Sequence, residues 1–301
     1  MILNASGCLD PLAAPEVARG LDAVVTKTVT PLPREGNPPV RIAETEVGML
    51  NSIGLANPGI DRFLAEVLPQ LLELGPPVWV SVGGFSAEEY AASCARLDET
   101  GAAALELNLS CPNVAAPEDE ATAIVAAARA ATEKPLYAKL APALPDVAAV
   151  ATAAAAAGAD GLSLVNTIRG LALDPQTLRP RIATAVGGLS GPALRPIALA
   201  AVHTCFRATG LPIVGMGGVE TGRHALDLIA AGASAVALGT VLFADPSAPS
   251  RIRAELAAAA VARGFGNPAA ARGAAHEKSE APVAETVNAA PEISGRVGLK
   301  L

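Results

Sequence analysis

Aromatic residues are scarce in this chain of 301 residues, since Phe, Trp and Tyr together make up 3% of it. Basic residues form no stripe and the formal net charge is −7, so a nucleic-acid-binding surface is not expected. Cysteines are few, and they form no CxxC pair and no metal-type spacing: Cys8, Cys94, Cys111 and Cys205. This usage predicts a reduced, cytoplasmic setting without a bound metal, in which one thiol is free for catalysis.

Hydrophobic residues, in contrast, make up 51% of the chain, so a large core can form and extensive disorder is excluded. The apolar run from Val147 to Val165 is interrupted at Gly158-Ala159-Asp160-Gly161. It therefore predicts a helix, a turn and a strand rather than a membrane span.

Short β-like runs alternate with amphipathic stretches of helical length. Eight strands are predicted, near Met1–Asn4, Ala23–Thr26, Val78–Val82, Ala104–Leu107, Leu136–Lys139, Gly161–Leu164, Pro212–Gly215 and Ala235–Leu238. The clearest predicted helices are Ile60–Leu74, Ala87–Glu99, Glu118–Thr132 and Leu194–Ala208. This alternation implies parallel strands and predicts an α/β fold, a (β/α)8 TIM barrel. A doubly wound open sheet is the alternative, which the number of strands does not exclude.

A single domain is predicted, with the barrel over residues 1–263. Residues 264–301 lose periodicity and mix Ala, Glu, Pro and Gly with charge, so they are predicted to form a poorly ordered tail. The segment from Thr26 to Gly59 is long and rich in proline and glycine. Because long ordered loops in compact domains usually serve function, a functional loop is predicted there.

The segment Asn108-Leu109-Ser110-Cys111-Pro112-Asn113 follows a predicted buried strand and places a thiol between two carboxamides. Pro112 ends the strand, which leaves Cys111 in a loop that can face a ligand. Asn108 and Asn113 can each donate and accept hydrogen bonds, as a planar imide or amide requires. A cysteine at a strand end is often only a small buried hydrophobe, but this setting favours a catalytic thiol.

Glycine clusters end the last two predicted strands, at Gly215-Met216-Gly217-Gly218 and at Gly239-Thr240. Glycine lets backbone N–H groups approach a phosphate, and the dipole of a following helix favours the anion. In (β/α)8 barrels the loops after strands seven and eight commonly form such a site. Glycine also serves tight turns, so one cluster alone would be weak support. Gly187-Gly188-Leu189-Ser190-Gly191 is a third cluster, predicted to close over the phosphate.

Lys27 and Lys139 each end a predicted apolar strand on the same face of the barrel. A cation there would stabilise the anionic reduced form of a flavin, although a rim lysine paired with a carboxylate is the alternative. Asn51-Ser52-Ile53-Gly54-Leu55 lies in the long segment and could bind a carboxylate or an amide. A simple Asn/Gly turn explains that stretch equally well.

Together these segments resemble the class 1 dihydroorotate dehydrogenase family, in the family's order, over residues 1 to about 246. The matching segments are Asn4-Ala5-Ser6-Gly7, Thr26-Lys27-Thr28, Arg34-Glu35-Gly36-Asn37-Pro38, Asn51 to Leu55, Asn108 to Asn113, Val165-Asn166-Thr167, Gly187 to Gly191, Gly215 to Gly218 and Gly239-Thr240. Met49-Leu50-Asn51 and Ala233-Ser234-Ala235-Val236 are closest to the 1B branch.

The resemblance implies an FMN-dependent oxidation of dihydroorotate to orotate in de novo pyrimidine biosynthesis. In the 1B branch the catalytic chain pairs with an electron-transfer subunit that carries FAD and an iron–sulfur cluster, and electrons reach NAD. A homodimer or a heterotetramer is therefore expected, with no membrane or nucleic-acid partner.

The resemblance also implies residue roles, with Cys111 as the base. FMN would be held by Ser6, Lys27, Thr28, Ser81, Asn108, Lys139, Val165, Gly191, Gly217, Gly218, Gly239 and Thr240. The pyrimidine would be held by Lys27, Asn51, Ser52, Ile53, Gly54, Leu55, Asn108, Asn113, Asn166 and Thr167.

The chain departs from the family pattern in four places. It begins at the first barrel strand, so the family's small N-terminal hairpin is expected to be absent. Ser81 stands where the family usually has Asn, and Ala141-Pro142-Ala143 replaces the usual Ser-Pro-Asn. The loop after Val114 lacks several residues of the lid that normally closes over the substrate, which would lower turnover rather than binding.

Three alternatives stay open at this point. The chain could be an FMN-dependent paralogue that acts on another dihydropyrimidine or on a specialised-pathway substrate. It could be a flavin barrel with weakened catalysis, because its lid is short. It could also be a phosphate-binding barrel, such as an isomerase or a synthase, since these carry late glycine motifs too.

Overall fold

Parallel strands form the centre of the molecule, in a computed structural model that describes residues 1–109, 117–142, 144 and 146–277. The barrel strands are β1 (Ile2–Asn4), β2 (Val24–Val25), β5 (Val78–Val82), β6 (Ala104–Asn108), β7 (Leu136–Leu140), β8 (Gly161–Leu164), β11 (Ile213–Met216) and β12 (Ala235–Leu238). They pair in the order β1-β12-β11-β8-β7-β6-β5-β2. A parallel bridge between Leu3 and Ala23 joins β1 to β2 and closes the barrel. This confirms the predicted (β/α)8 fold and excludes the open sheet.

Helices surround the barrel. They are α1 (Pro15–Arg19), α2 (Ile60–Arg62), α3 (Leu68–Leu72), α4 (Ala87–Asp98), α5 (Pro117–Ala131), α6 (Val147–Ala156), α7 (Arg195–Thr209), α8 (Gly222–Ala230), α9 (Val241–Ala244) and α10 (Ala248–Val261). A π-helical turn, Phe63–Val67, joins α2 to α3. Side-chain caps define some starts: Ser86 accepts from the N–H of Glu89 at the start of α4. In the described part of the chain, no helix has both the length and the apolar character of a membrane span.

The barrel interior changes from apolar to polar along its axis. Alternate strand residues such as Leu105 and Leu107 face the helices, whereas Trp79 and Ala104 pack inside the barrel. Near the amino ends of the strands, the rings of Trp79 and Tyr137 have centroids 4.5 Å apart. Towards the carboxyl ends the interior residues are Ser81, Glu106, Lys139 and Ser163, all buried. The polar end of the barrel is therefore the end at which the predicted site residues lie.

A second, antiparallel sheet was not predicted from the sequence. Its strands are β3 (Ile42–Thr45), β4 (Gly48–Asn51), β9 (Ile168–Leu171) and β10 (Val186–Ser190), in the order β3-β4-β10-β9. The expectation of a loop was therefore wrong for part of the Thr26–Gly59 segment. These strands are short and partly exposed, and Asn51 of β4 meets Gly188 of β10 across 137 residues of sequence. A local pattern carries no signal for pairing at that separation.

Residues 264–277, which were predicted to belong to a poorly ordered tail, pack against the barrel. Two 3-10 turns, Pro268–Ala271 and Ala274–His276, follow α10. Ala271 is fully buried, and the rings of His276 and His203 stack with centroids 4.0 Å apart. Residues 278–301 lie outside the described part of the chain. The domain boundary at residue 263 stays a prediction.

Candidate active site

One cavity at the carboxyl ends of the strands collects many of the predicted site residues. Those that line it are Ser6, Lys139, Val165, Asn166, Thr167, Gly191, Gly217, Gly218, Gly239 and Thr240. They come from the loops after β1, β8, β11 and β12, from the end of β7 and from the residue after β10. Parallel strands of a barrel all end on one face, which is why residues so far apart in sequence meet here.

The side chain of Lys139 enters the cavity from the barrel interior. Its ammonium Nζ donates to the Oγ of Ser6 at 2.7 Å. Nζ also lies 3.5 Å from the Oε1 of Glu106, and the side chains of Lys139 and Glu106 are only 5% and 1% exposed. Lys139 is thus an interior cation with a buried counter-charge, and not a rim lysine in a solvated ion pair.

Cys8 lines both this cavity and a second, mostly apolar pocket beside it, and Lys27 lines the second pocket. Burial lowers the pKa of Lys27, and the charge of Lys139 lowers it further. Burial also raises the pKa of the Cys8 thiol, although the charges of Lys139 and Lys27 oppose that shift. Two lysines and a thiol therefore lie close together in and beside the cavity, where burial disfavours charged groups.

A chain of hydrogen bonds connects four predicted residues on neighbouring elements. Asn166 Nδ2 donates to Asn108 Oδ1 at 3.2 Å, and Asn108 Nδ2 donates to Thr28 Oγ1 at 3.4 Å. Thr28 Oγ1 lies 3.0 Å from Ser81 Oγ, which stands where the family usually has Asn. Tyr90 of α4 fixes the end of β6, because its hydroxyl donates to the Asn108 carbonyl at 2.7 Å. The carboxamides are thereby held in place next to the cavity.

The predicted Asn51–Leu55 stretch divides into two parts. Asn51 ends β4 and donates to the Gly188 carbonyl at 3.2 Å. A Cβ on Gly188 would lie 2.2 Å from Thr167 Oγ1 and 3.3 Å from Asn51 Nδ2, so both side chains pack against that glycine. Residues 52–55 instead lie against the segment at Asn37, whose side-chain Nδ2 donates to the Ser52 carbonyl and whose backbone N–H donates to the Ile53 carbonyl. They are not among the described residues that line the cavity.

The two predicted glycines that follow β11 are required by the backbone. Gly217 and Gly218 have φ values of 126° and 67°, which side chains rarely adopt. A Cβ on Gly218 would lie 2.8 Å from the carbonyl oxygen of Gly191. Thr240 closes the next loop, where its Oγ1 donates to Ser190 Oγ at 2.8 Å, and the short helix α9 follows. Backbone without side chains is thus presented to this end of the cavity.

Cys111 and Asn113 lie outside the described residues, so the structure does not place the predicted base. Conversely, Glu106 and Tyr90 were not predicted from the sequence to belong to the site. For Glu106 a signal was present in the sequence. It lies two residues before Asn108 on β6, which puts both side chains on one face of the strand.

We expect the thiols of Cys94 and Cys205 to be nearly inert in the native protein. Both lie buried within helices that the sequence predicted, and burial raises the pKa of each to about 12. At pH 8 only about 10⁻⁴ of such a thiol is the reactive thiolate. Alkylation followed by peptide mass spectrometry should show both labelled at least about 1,000-fold more slowly in native than in urea-unfolded protein. Equal labelling in the two states would contradict this.

Comparisons with known proteins agree on one family. The model of the dihydroorotate dehydrogenase family matches residues 1–259. The chain is 45% identical over 245 residues to the dihydroorotate dehydrogenase B (NAD(+)) catalytic subunit of Desulforudis audaxviator, which covers 79% of this chain and 80% of that protein. It is 42% identical over 244 residues to the subunit of that name in Listeria monocytogenes, covering 78% and 80%.

Solved structures share the fold. The crystal structure of DHODH from Eimeria tenella in complex with ferulenol superimposes with a TM-score of 0.75 at 25% identity, covering 92% of this chain and 85% of that one. The ligand-free form of that protein gives a TM-score of 0.76 at 24% identity. With the family matched over the whole barrel, and relatives this similar over most of their length, the chain belongs to the dihydroorotate dehydrogenases, a flavin-dependent oxidoreductase family, and within it to the class 1B catalytic subunits.

Proposed function

We propose that this chain oxidises dihydroorotate to orotate in pyrimidine biosynthesis, with FMN as hydride acceptor and Cys111 as general base. The observation that carries the proposal is the cavity at the carboxyl face, where Lys139 and Ser6 on one side meet Gly217, Gly218 and Thr240 on the other. This arrangement offers a cation for a flavin ring and bare backbone for its phosphate.

The residues present fit FMN. The loops after β11 and β12 expose backbone, because Gly217, Gly218 and Gly239 carry no side chain, and a phosphate is held best by such N–H groups. At Gly239 a Cβ would meet nothing closer than Cys8 Sγ at 3.7 Å, so this part of the cavity is open. When bound, FMN would supply hydride acceptance from C6 of the substrate ring.

The carboxamides would hold the substrate. Asn108, Asn166 and Asn51 each have one donor and one acceptor group, which suit the alternating N–H and C=O groups of a dihydropyrimidine ring. Their hydrogen bonds to Thr28, to each other and to the Gly188 carbonyl orient them before the substrate arrives. Cys111 would remove the proton from C5 as the hydride leaves C6, and a C5–C6 double bond would form. An ordered site reduces the entropic cost of that geometry.

We propose further that this chain works with an electron-transfer subunit carrying FAD and an iron–sulfur cluster, and that electrons pass to NAD. The support is the similarity to relatives named as NAD(+)-linked catalytic subunits, at 42% and 45% identity. Such a complex would be a heterotetramer, and the cytoplasm stays the predicted compartment.

We expect the purified protein to be yellow and its visible flavin absorbance to bleach on anaerobic mixing with dihydroorotate. Orotate should accumulate in an amount equal to the flavin reduced, since one hydride is transferred per ring. A yellow protein that dihydroorotate does not bleach would point to another substrate or to lost catalysis. A colourless protein that cannot be reconstituted with FMN would overturn the proposal and favour a phosphate-binding barrel.

A further inference from the structure

A buried ion pair inside the barrel joins a residue that lines the cavity, Lys139, to one that does not, Glu106. Glu106 of β6 and Lys139 of β7 belong to neighbouring strands, which pair Asn108 with Lys139. Their side chains are 1% and 5% exposed, with Oε1 and Nζ 3.5 Å apart. A buried carboxylate is costly unless a cation compensates it, so a pair at this depth constrains both partners.

Lys139 is the link between Glu106 and the cavity. Its Nζ donates to Ser6 Oγ, and both of these residues line the cavity, whereas Glu106 does not. Among the described residues, Glu106 Oε1 has no hydrogen-bond partner, so its interaction with Lys139 is one of charge. The Lys139 ammonium thus lies 3.5 Å from Glu106 Oε1 and 2.7 Å from Ser6 Oγ.

The groups around Lys139 make a counter-charge necessary. Lys27, after β2, carries a second positive charge near it, and the Cys8 thiol, after β1, contributes none while protonated. Glu106 is the carboxylate that interacts with this group. Two ammonium groups in a buried region repel each other, and the carboxylate of Glu106 offsets part of that repulsion.

We propose that Glu106 is a positioning residue, which pairs with Lys139 and holds its ammonium beside Ser6 and the bound flavin. This inference rests on the proposed function, because Lys139 is one of the residues proposed to hold FMN. Glu106 does not touch the flavin or the substrate; it acts through Lys139.

A double-mutant cycle tests the coupling without reference to the flavin. Glu106→Gln, Lys139→Met and the double variant are compared with the wild type by urea unfolding of the full chain, with and without added FMN. We expect the double variant to be more stable than Lys139→Met alone, because the second change removes the carboxylate that the first leaves unpaired. Stability losses that simply add would overturn the proposal. The Ser163→Ala variant is the control, since Ser163 is equally buried and its hydroxyl has no partner among the described residues.

FMN affinity at a fixed pH tests the effect on the site. We expect Glu106→Gln to weaken FMN binding at least about 10-fold, because Lys139 loses the buried carboxylate 3.5 Å from its ammonium. Glu106→Asp, which keeps the charge, should restore most of the affinity, and Ser163→Ala should bind FMN as the wild type does. An affinity of Glu106→Gln equal to that of the wild type would overturn the proposal. If the wild type itself bound no FMN, the proposed function would fail, and the unfolding cycle would still decide whether the pair is coupled.

Discussion

Replacing Cys111 with alanine should leave a folded, yellow protein that dihydroorotate reduces at least about 100-fold more slowly, the usual scale for loss of a general base. The thiol follows β6, whose last residue, Asn108, is tied to Asn166 and Thr28 by hydrogen bonds. Substrate binding depends on these neighbours, so the variant should still bind orotate. Anaerobic stopped-flow measurement of flavin bleaching gives the rate, and orotate-induced changes in the flavin spectrum give the binding.

Matched controls are available at the other cysteines. Cys94→Ala and Cys205→Ala remove thiols that are buried in α4 and α7, so their reduction rates should stay near wild type. Cys8→Ala tests the thiol that lines the edge of the cavity. Cys111→Ser should lose less at high pH than at neutral pH, because a hydroxyl is a far weaker acid than a thiol. If dihydroorotate reduced Cys111→Ala at a near-normal rate, another group would have to be the base. Slow reduction of Cys8→Ala would then identify Cys8 as that group.

The barrel could be predicted from the sequence because its strands are short, almost wholly apolar runs. Val78–Val82 is buried at every position, as expected of a parallel strand covered on both faces. Such runs, separated by helices rich in alanine, carry their own local signal. The position of the site followed from the same logic, since the residue after each parallel strand must lie on one face.

The antiparallel sheet could not be predicted, because its stability comes from pairing between distant segments. Ile42–Thr45 has one buried residue in four and ends in charged and polar residues, so it has no clear period of two. Pairing of Asn51 with Gly188 brings β4 to β10, and this pairing also places Asn51 near Thr167. The substrate side of the site therefore depends on a contact that no local pattern shows.

Glu106 shows a different limit. In the sequence it interrupts an otherwise apolar strand, and its meaning depends on a partner in the next strand. Only the register of β6 against β7 shows that its carboxylate faces Lys139 inside the barrel. A strand-end lysine could equally have been a rim residue, and burial decides between the two.

Gly218→Asp should abolish flavin retention. Gly218 lines the cavity at the loop after β11, where the phosphate of FMN is proposed to bind, and a carboxylate there would face that phosphate. Two like charges about 4 Å apart repel by about 4 kcal/mol near a protein surface, which corresponds to roughly 1,000-fold in affinity. The ratio of flavin to protein after gel filtration measures the effect, and the melting temperature shows whether the chain still folds.

Two further variants separate charge from shape at this position. Gly218→Asn has nearly the size of Asp and tolerates the φ of 67° about as well, but it adds no charge, so it should keep part of the flavin. Gly210→Asp places a carboxylate at almost the same φ, 66°, with no atom within 4 Å of the new Cβ, so it should keep all of it. Equal flavin loss in Gly218→Asn and Gly218→Asp would mean that the crowding against Gly191 decides, and not the charge. Full flavin occupancy in Gly218→Asp would show that the phosphate does not bind at this loop, because a carboxylate next to a buried phosphate must lower its affinity.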